Sequence, residues 1–151
     1  MKSKLCLLLL AISATLGCYM KTRLYPVEGP LSAQTPVPVL MGKITGKINP
    51  ETISVVLTDG EVCKGRWIFV NNVQPSKGQN SLTAPTTNLA AAWDSIYGPN
   101  YYTSHVVGAK YYAQAVAPGN RGSTLNAELN GFDKGVAKDN KGNIYKLVLQ
   151  Q

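Results

Sequence analysis

The only histidine of this 151-residue chain is His105. It follows Ser104 directly and lies a short way after Asp94. A Ser-His-Asp set can hydrolyse an ester or amide: imidazole takes the serine proton, and the carboxylate orients the ring. No G-x-S-x-G elbow accompanies it, so a hydrolase using His105 stands only as an alternative and no catalytic residue is assigned. Asp133 and Asp139 flank a predicted strand, where turn and surface roles account for them and a glycosidase carboxylate pair is not supported. Alternation puts Cys63 on a core face, which favours an inert buried thiol. There is no C-x-x-C pair or Cys/His cluster, so no zinc site is expected. Gly108 and Gly122 sit in β context rather than in a phosphate-binding loop. No cofactor is implied, and the chain reads as non-enzymatic.

The remaining chemistry is aromatic. Trp93, Tyr97, Tyr101, Tyr102, Tyr111 and Tyr112 fall within one stretch. Tyrosine joins an apolar face to a polar tip, which suits glycan or protein surfaces. Strand parity points Tyr111 to the core and Tyr112 away from it. The expected binding residues are therefore Tyr97, Tyr101, Tyr102 and Tyr112.

These residues need elements to hold them. Ile44, Gly46 and Ile48 alternate with polar neighbours, and Asn49-Pro50 turns the chain. Ile53, Val55 and Leu57 line the next strand, and Thr58-Asp59-Gly60 turns it into Glu61–Val70. A two-residue turn would set Ile53 and Val55 opposite Arg66 and Lys64. A three-residue loop with Gly60 in the left-handed region instead pairs Leu57 with Glu61, Val55 with Cys63 and Ile53 with Gly65. A one-residue slip flips every side chain, so the second register is preferred. Asp139–Asn143 repeats the device with Gly142, setting Ala137 opposite Tyr145 and Gly135 opposite Leu147. Between them, Val107, Ala109, Tyr111, Ala113 and Ala115 share a face. Pro118–Gly122 turns, and Leu125, Ala127 and Leu129 return. Small residues opposite large ones predict a curved sheet or a barrel with little interior space. One short helix is predicted from Leu89 to Tyr97, capped by Thr87 or Asn88 and stopped by Gly98-Pro99. Asn71–Pro85 is a long polar loop. The fold expected is all-β: a small antiparallel barrel or sandwich of six to eight strands with one short helix.

The N-terminus carries an address. Lys2 and Lys4 precede an apolar run from Leu5 to Ile12, too short for a bilayer span of roughly 20 residues and suited to a signal peptide. Thr15-Leu16-Gly17-Cys18 resembles a bacterial lipobox, with Thr15 where such boxes usually have Leu. The resemblance implies cleavage before Cys18, acylation of that residue and attachment to the membrane through its lipid. Tyr19 in place of Asp favours the outer membrane if the host is Gram-negative. The expected organisation is a signal peptide at 1–17, a lipidated, Pro-rich tether at 18–42 and a β domain at 43–151. Without Lys2 and Lys4 the chain keeps 13 basic residues against 8 acidic ones, a net charge of +5. In the cytosol that would raise nucleic acid as a partner. At this address it points instead to anionic lipid, an envelope protein or an anionic cell-wall polymer, and no nucleic acid is expected. If Cys18 is lipidated, Cys63 is a lone thiol; if not, a Cys18–Cys63 disulfide is open to it.

Two resemblances complete the reading. The lipobox, Arg23-Leu-Tyr-Pro-Val-Glu-Gly-Pro30, Asp59-Gly-Glu-Val-Cys-Lys-Gly-Arg-Trp67 and the closing Gly135–Lys146 segment resemble a group of uncharacterised bacterial lipoproteins, which brings no activity with it. Ser104-His-Val-Val-Gly-Ala-Lys-Tyr111 is faintly similar to a segment of membrane-bound c-type lysozyme inhibitors, small β-barrel lipoproteins. It lacks their Trp-x-Lys-Gly motif and paired cysteines. It implies, as an alternative, inhibition of a wall-degrading enzyme. The leading expectation is a non-enzymatic envelope lipoprotein whose β domain presents a binding or structural surface.

Overall fold

The computed structural model describes residues 19–45, 52–70 and 89–150. Eight antiparallel strands form a closed barrel in simple sequence order. They are β1 (Tyr19–Glu28), β2 (Leu40–Thr45), β3 (Thr52–Val56), β4 (Val62–Val70), β5 (Tyr112–Pro118), β6 (Thr124–Asn130), β7 (Lys134–Asp139) and β8 (Ile144–Gln150). A helix, α1 (Ala90–Tyr97), and a π-helical turn (Tyr102–Val106) lie between β4 and β5. The signal peptide, Cys18, the Asn49-Pro50 turn, the Asn71–Pro85 loop and the proposed caps Thr87 and Asn88 lie outside the described residues.

The hairpin registers follow from their turns. Val55 pairs with Cys63 and Ile53 with Gly65, while Ala137 pairs with Tyr145 and Gly135 with Leu147. Gly60 and Gly142 take φ of +79° and +88°, the left-handed conformation that a three-residue loop needs and glycine tolerates. The third hairpin sets Ala113 opposite Leu129 and Ala115 opposite Ala127.

The tether expected at 18–42 is a correction. Tyr19–Glu28 is the strand that closes the barrel, pairing with β2 on one side and β8 on the other. Met20, Thr22 and Leu24 alternate inward, with Thr22 and Leu24 fully buried. Pro26 is tolerated because the register with β8 shifts between Pro26 and Glu28, and a bulge spares the ladder the missing N–H. The β domain therefore includes Tyr19–Glu28 and does not start at Lys43.

Inside the barrel, Trp67, Tyr145, Leu24, Ile53, Leu125 and Leu147 are fully or almost fully buried. Each such aliphatic side chain contributes roughly 1.5–3 kcal/mol. Alanines at 113, 115, 117, 127 and 137 leave room for them. Gly65 has no such slack: a Cβ there would overlap the Val116 carbonyl. The β strands thus cross closely enough to fill the interior with side chains.

Asparagines fasten one end of the barrel. Asn120 Oδ1 accepts from Val62 N, Asn140 Oδ1 from Thr124 N and Asn143 Oδ1 from Leu31 N. Each joins its own loop to a different part of the chain. Asp139 is buried there rather than on the surface. It accepts from Lys141 N, Asn143 N, Asn143 Nδ2 and the Tyr145 hydroxyl at 2.6–2.9 Å.

Candidate functional site

α1 packs on the outside of the barrel, against β7 and β8. Trp93, fully buried, anchors it and donates from Nε1 to Glu128 Oε2 at 2.6 Å. Around this pair lie Leu89, Ala92, Val106, Tyr112 and Val136, a second apolar cluster separate from the barrel interior. α1 ends at Tyr97 with Gly98 as its C-cap, where the stop was predicted, and the separate π-helical turn follows Gly98-Pro99. Asp94 Oδ1 accepts from Tyr102 N at 2.9 Å across it.

α1 and this turn together align aromatic rings at every fourth position. Tyr97 and Tyr101 each stack on Trp93, at ring-centroid distances of 5.4 Å and 5.8 Å. Tyr101 meets Tyr97 at 4.9 Å and His105 at 4.4 Å. Trp93 is buried, Tyr97 and Tyr101 are half-buried, and His105 is exposed. Lysines from the barrel flank the column: Lys134 Nζ is 5.5 Å from the Tyr101 ring and Lys146 Nζ is 5.7 Å from the Tyr97 ring. Rings of this kind attract cations through their negative faces. Burial raises the Tyr97 phenol above its ordinary value, and its hydroxyl donates to the Gly135 carbonyl. The Tyr101 hydroxyl, hydrogen-bonded to Lys134, raises that ammonium. Both side chains thus keep their protons at neutral pH, and the face is aromatic and cationic.

Of the expected binding residues, Tyr97 and Tyr101 join this column and Tyr102 lies half-buried beside it. Tyr112 is a correction. It points out of the barrel, as its parity requires, but α1 covers it and only 1% remains exposed. Its hydroxyl accepts from Gln114 Nε2 at 2.9 Å. Tyr111, expected in the core, is a second correction. Its position precedes β5, at the barrel mouth, and it is 56% exposed beside Phe132. His105, Lys134 and Lys146 were not foreseen as members of the site, although the 93–97–101–105 spacing was present in the sequence.

The triad suggested by Ser104, His105 and Asp94 is not assembled. The His105 ring lies on Tyr101, and Asp94 is occupied by the Tyr102 backbone. Among the described residues, no carboxylate or hydroxyl is hydrogen-bonded to that ring. Cys63 is buried inside the barrel, and desolvation raises its thiol. Among the described residues no group of three His, Cys, Asp or Glu side chains is placed to hold a metal ion. The segment 104–111, similar to a lysozyme-inhibitor segment, forms the end of the π-helical turn and the approach to β5.

The barrel interior offers little space. At the mouth, Met20, Trp67, Phe69, Tyr111 and Leu149 border a cavity of about 40 Å³. One water needs roughly 10–15 Å³ by this measure, so there is room for a few waters and none for a drug-sized ligand. The Trp67 indole N–H is buried without a hydrogen-bond partner.

No protein-family model, curated protein or solved structure matches the chain. No described helix is long and apolar enough to cross a membrane.

Proposed function

We propose that this protein is a non-enzymatic lipoprotein of the cell envelope that binds an acidic glycan of the wall through its aromatic–lysine column. The observation that carries the reading is the stack of Tyr97, Tyr101 and His105, flanked by Lys134 and Lys146. Flat rings offer apolar faces on which sugars stack, and the ammonium groups supply charge for carboxylates or phosphates. The filled barrel supports a role for its outer surface rather than for a ligand held within. The lipobox-like Thr15–Cys18 segment supports anchoring at the envelope.

Titrating residues 19–151 with soluble, uncrosslinked peptidoglycan fragments tests the binding, read by tryptophan fluorescence because Trp93 lies against Tyr97 and Tyr101. Saturable binding is expected, weakened at least about tenfold by Tyr101→Ala, a loss near 1.4 kcal/mol. Unchanged affinity in that variant, or no binding by the parent chain, removes the reading. Intact-mass measurement of the membrane fraction tests the anchor separately: a Cys18 carrying diacylglycerol on its thiol and an acyl chain on its amine is expected, and an unmodified chain from Cys18 or Tyr19 refutes it.

A further inference from the structure

The outward face of β1–β4 carries a grid of cations. Lys21 lies beside Lys43, Lys43 beside Ser54 and Ser54 beside Lys64 in consecutive strands. Arg23 and Arg66 occupy the two neighbouring rows, two residues away along β1 and β4. Neighbouring strands are roughly 4.8 Å apart and alternate residues roughly 6.6 Å apart, so these charges crowd one surface. No carboxylate offsets them on the outward positions of β2, β3 and β4, or of β1 as far as Val27. Glu28 lies past the bulge and bonds to the Ser95 hydroxyl beside α1.

Apolar groups stand among the charges. Tyr19 is 54% exposed, Met41 48% and Val56 46%, and they line a shallow groove with Lys21 and Lys43. Lys43 Nζ lies 6.0 Å from the Tyr19 ring centre. Lysine and arginine stems cover apolar surface while their heads reach outward, and tyrosine favours the headgroup level of a bilayer. Tyr19 begins the barrel and directly follows Cys18, so an anchor at Cys18 would leave the chain at the edge of this face.

We propose that the outward face of β1–β4 is a membrane-docking surface that lies on an anionic lipid bilayer. Anionic headgroups neutralise Lys21, Arg23, Lys43, Lys64 and Arg66, while Tyr19, Met41 and Val56 enter the interfacial region. Because the barrel is closed in sequence order, α1 and its aromatic column over β7 and β8 then lie on the other side, away from the lipid. The inference goes beyond glycan binding and uses the anchor only for proximity.

The test uses residues 19–151, which contain the entire closed barrel and lack Cys18, so an unlipidated natural chain would not affect it. Sedimentation with phosphatidylcholine vesicles containing roughly 30% phosphatidylglycerol measures the attraction of polybasic surfaces to anionic lipid. Binding is expected to these vesicles and not to phosphatidylcholine alone, and about 0.5 M salt should abolish it. Lys21→Glu with Lys43→Glu should weaken binding at least about tenfold, since each cation near the surface contributes strongly. Lys110→Glu with Lys138→Glu changes net charge equally on other surfaces and should leave most binding intact. Equal losses in the two double variants would reduce the effect to net charge and overturn the proposal. Absence of binding to anionic vesicles, including the case in which soluble polyphosphate binds instead, would also overturn it.

Discussion

Glu61 shows what one buried carboxylate can hold together. It accepts from Arg121 N at 2.6 Å and Ser123 N at 3.0 Å, and from the Ser123 hydroxyl. Lys141 Nζ lies 3.9 Å away. Gly119 makes room for it, because a Cβ there would collide with Glu61 Oε1. The Ser123 hydroxyl bond leads the causes that hold the Glu61 carboxyl below 4.5, its ordinary value. Its contribution to stability is therefore full above that value and is lost as pH falls through the lowered folded value. Thermal unfolding from neutral to acid pH should show a falling midpoint. Glu61→Gln should start lower at neutral pH and fall less steeply. Some slope should remain, because Asp59 is also lowered, first by the hydrogen bond from Glu61 N. An unchanged slope in Glu61→Gln would mean that other groups carry the acid sensitivity.

At the scale of elements, the buried Trp93 indole is the main anchor of α1 on the barrel, beside the hydrogen bonds from Tyr97 to Gly135 and from Ser95 to Glu28. Trp93→Phe keeps a ring in the second apolar cluster but removes the donor to Glu128. Removing a donor to a buried polar group costs about 1–3 kcal/mol. Hydrogen exchange should speed up in Ala90–Val106 while Ile53, Val55 and Leu125 amides stay protected, since their strands do not depend on this helix. A uniform acceleration would show that helix and barrel unfold as one unit. The hairpins were legible because glycine position and side-chain parity together admit one register. β1 was not, because four prolines between Tyr19 and Gly42 suggested a tether and outweighed the Met20–Thr22–Leu24 alternation. Tyr112 was read with the right parity and the wrong exposure: parity tells which side of a sheet a residue occupies, not what covers that side. The aromatic column was hidden because α1 does end at Gly98-Pro99, while the ring spacing continues across that break into the next turn.

For the whole molecule, closure makes the first strand indispensable. Deleting Tyr19–Glu28 would leave β2 and β8 with unpaired edges and expose the apolar interior. The product should lose cooperative thermal unfolding by circular dichroism, whereas removal of a mere spacer would leave the midpoint unchanged. The two halves of the barrel also differ: β1–β4 present cations without outward carboxylates, while the aromatic–lysine column occupies the other half. The burial of Cys63 has a kinetic consequence. Its sulfur faces inward beside Val55, beyond the reach of a reagent that only displaces α1. The rate at which this thiol is trapped is then a clock for the opening of the barrel wall, built into the native chain without any engineered label.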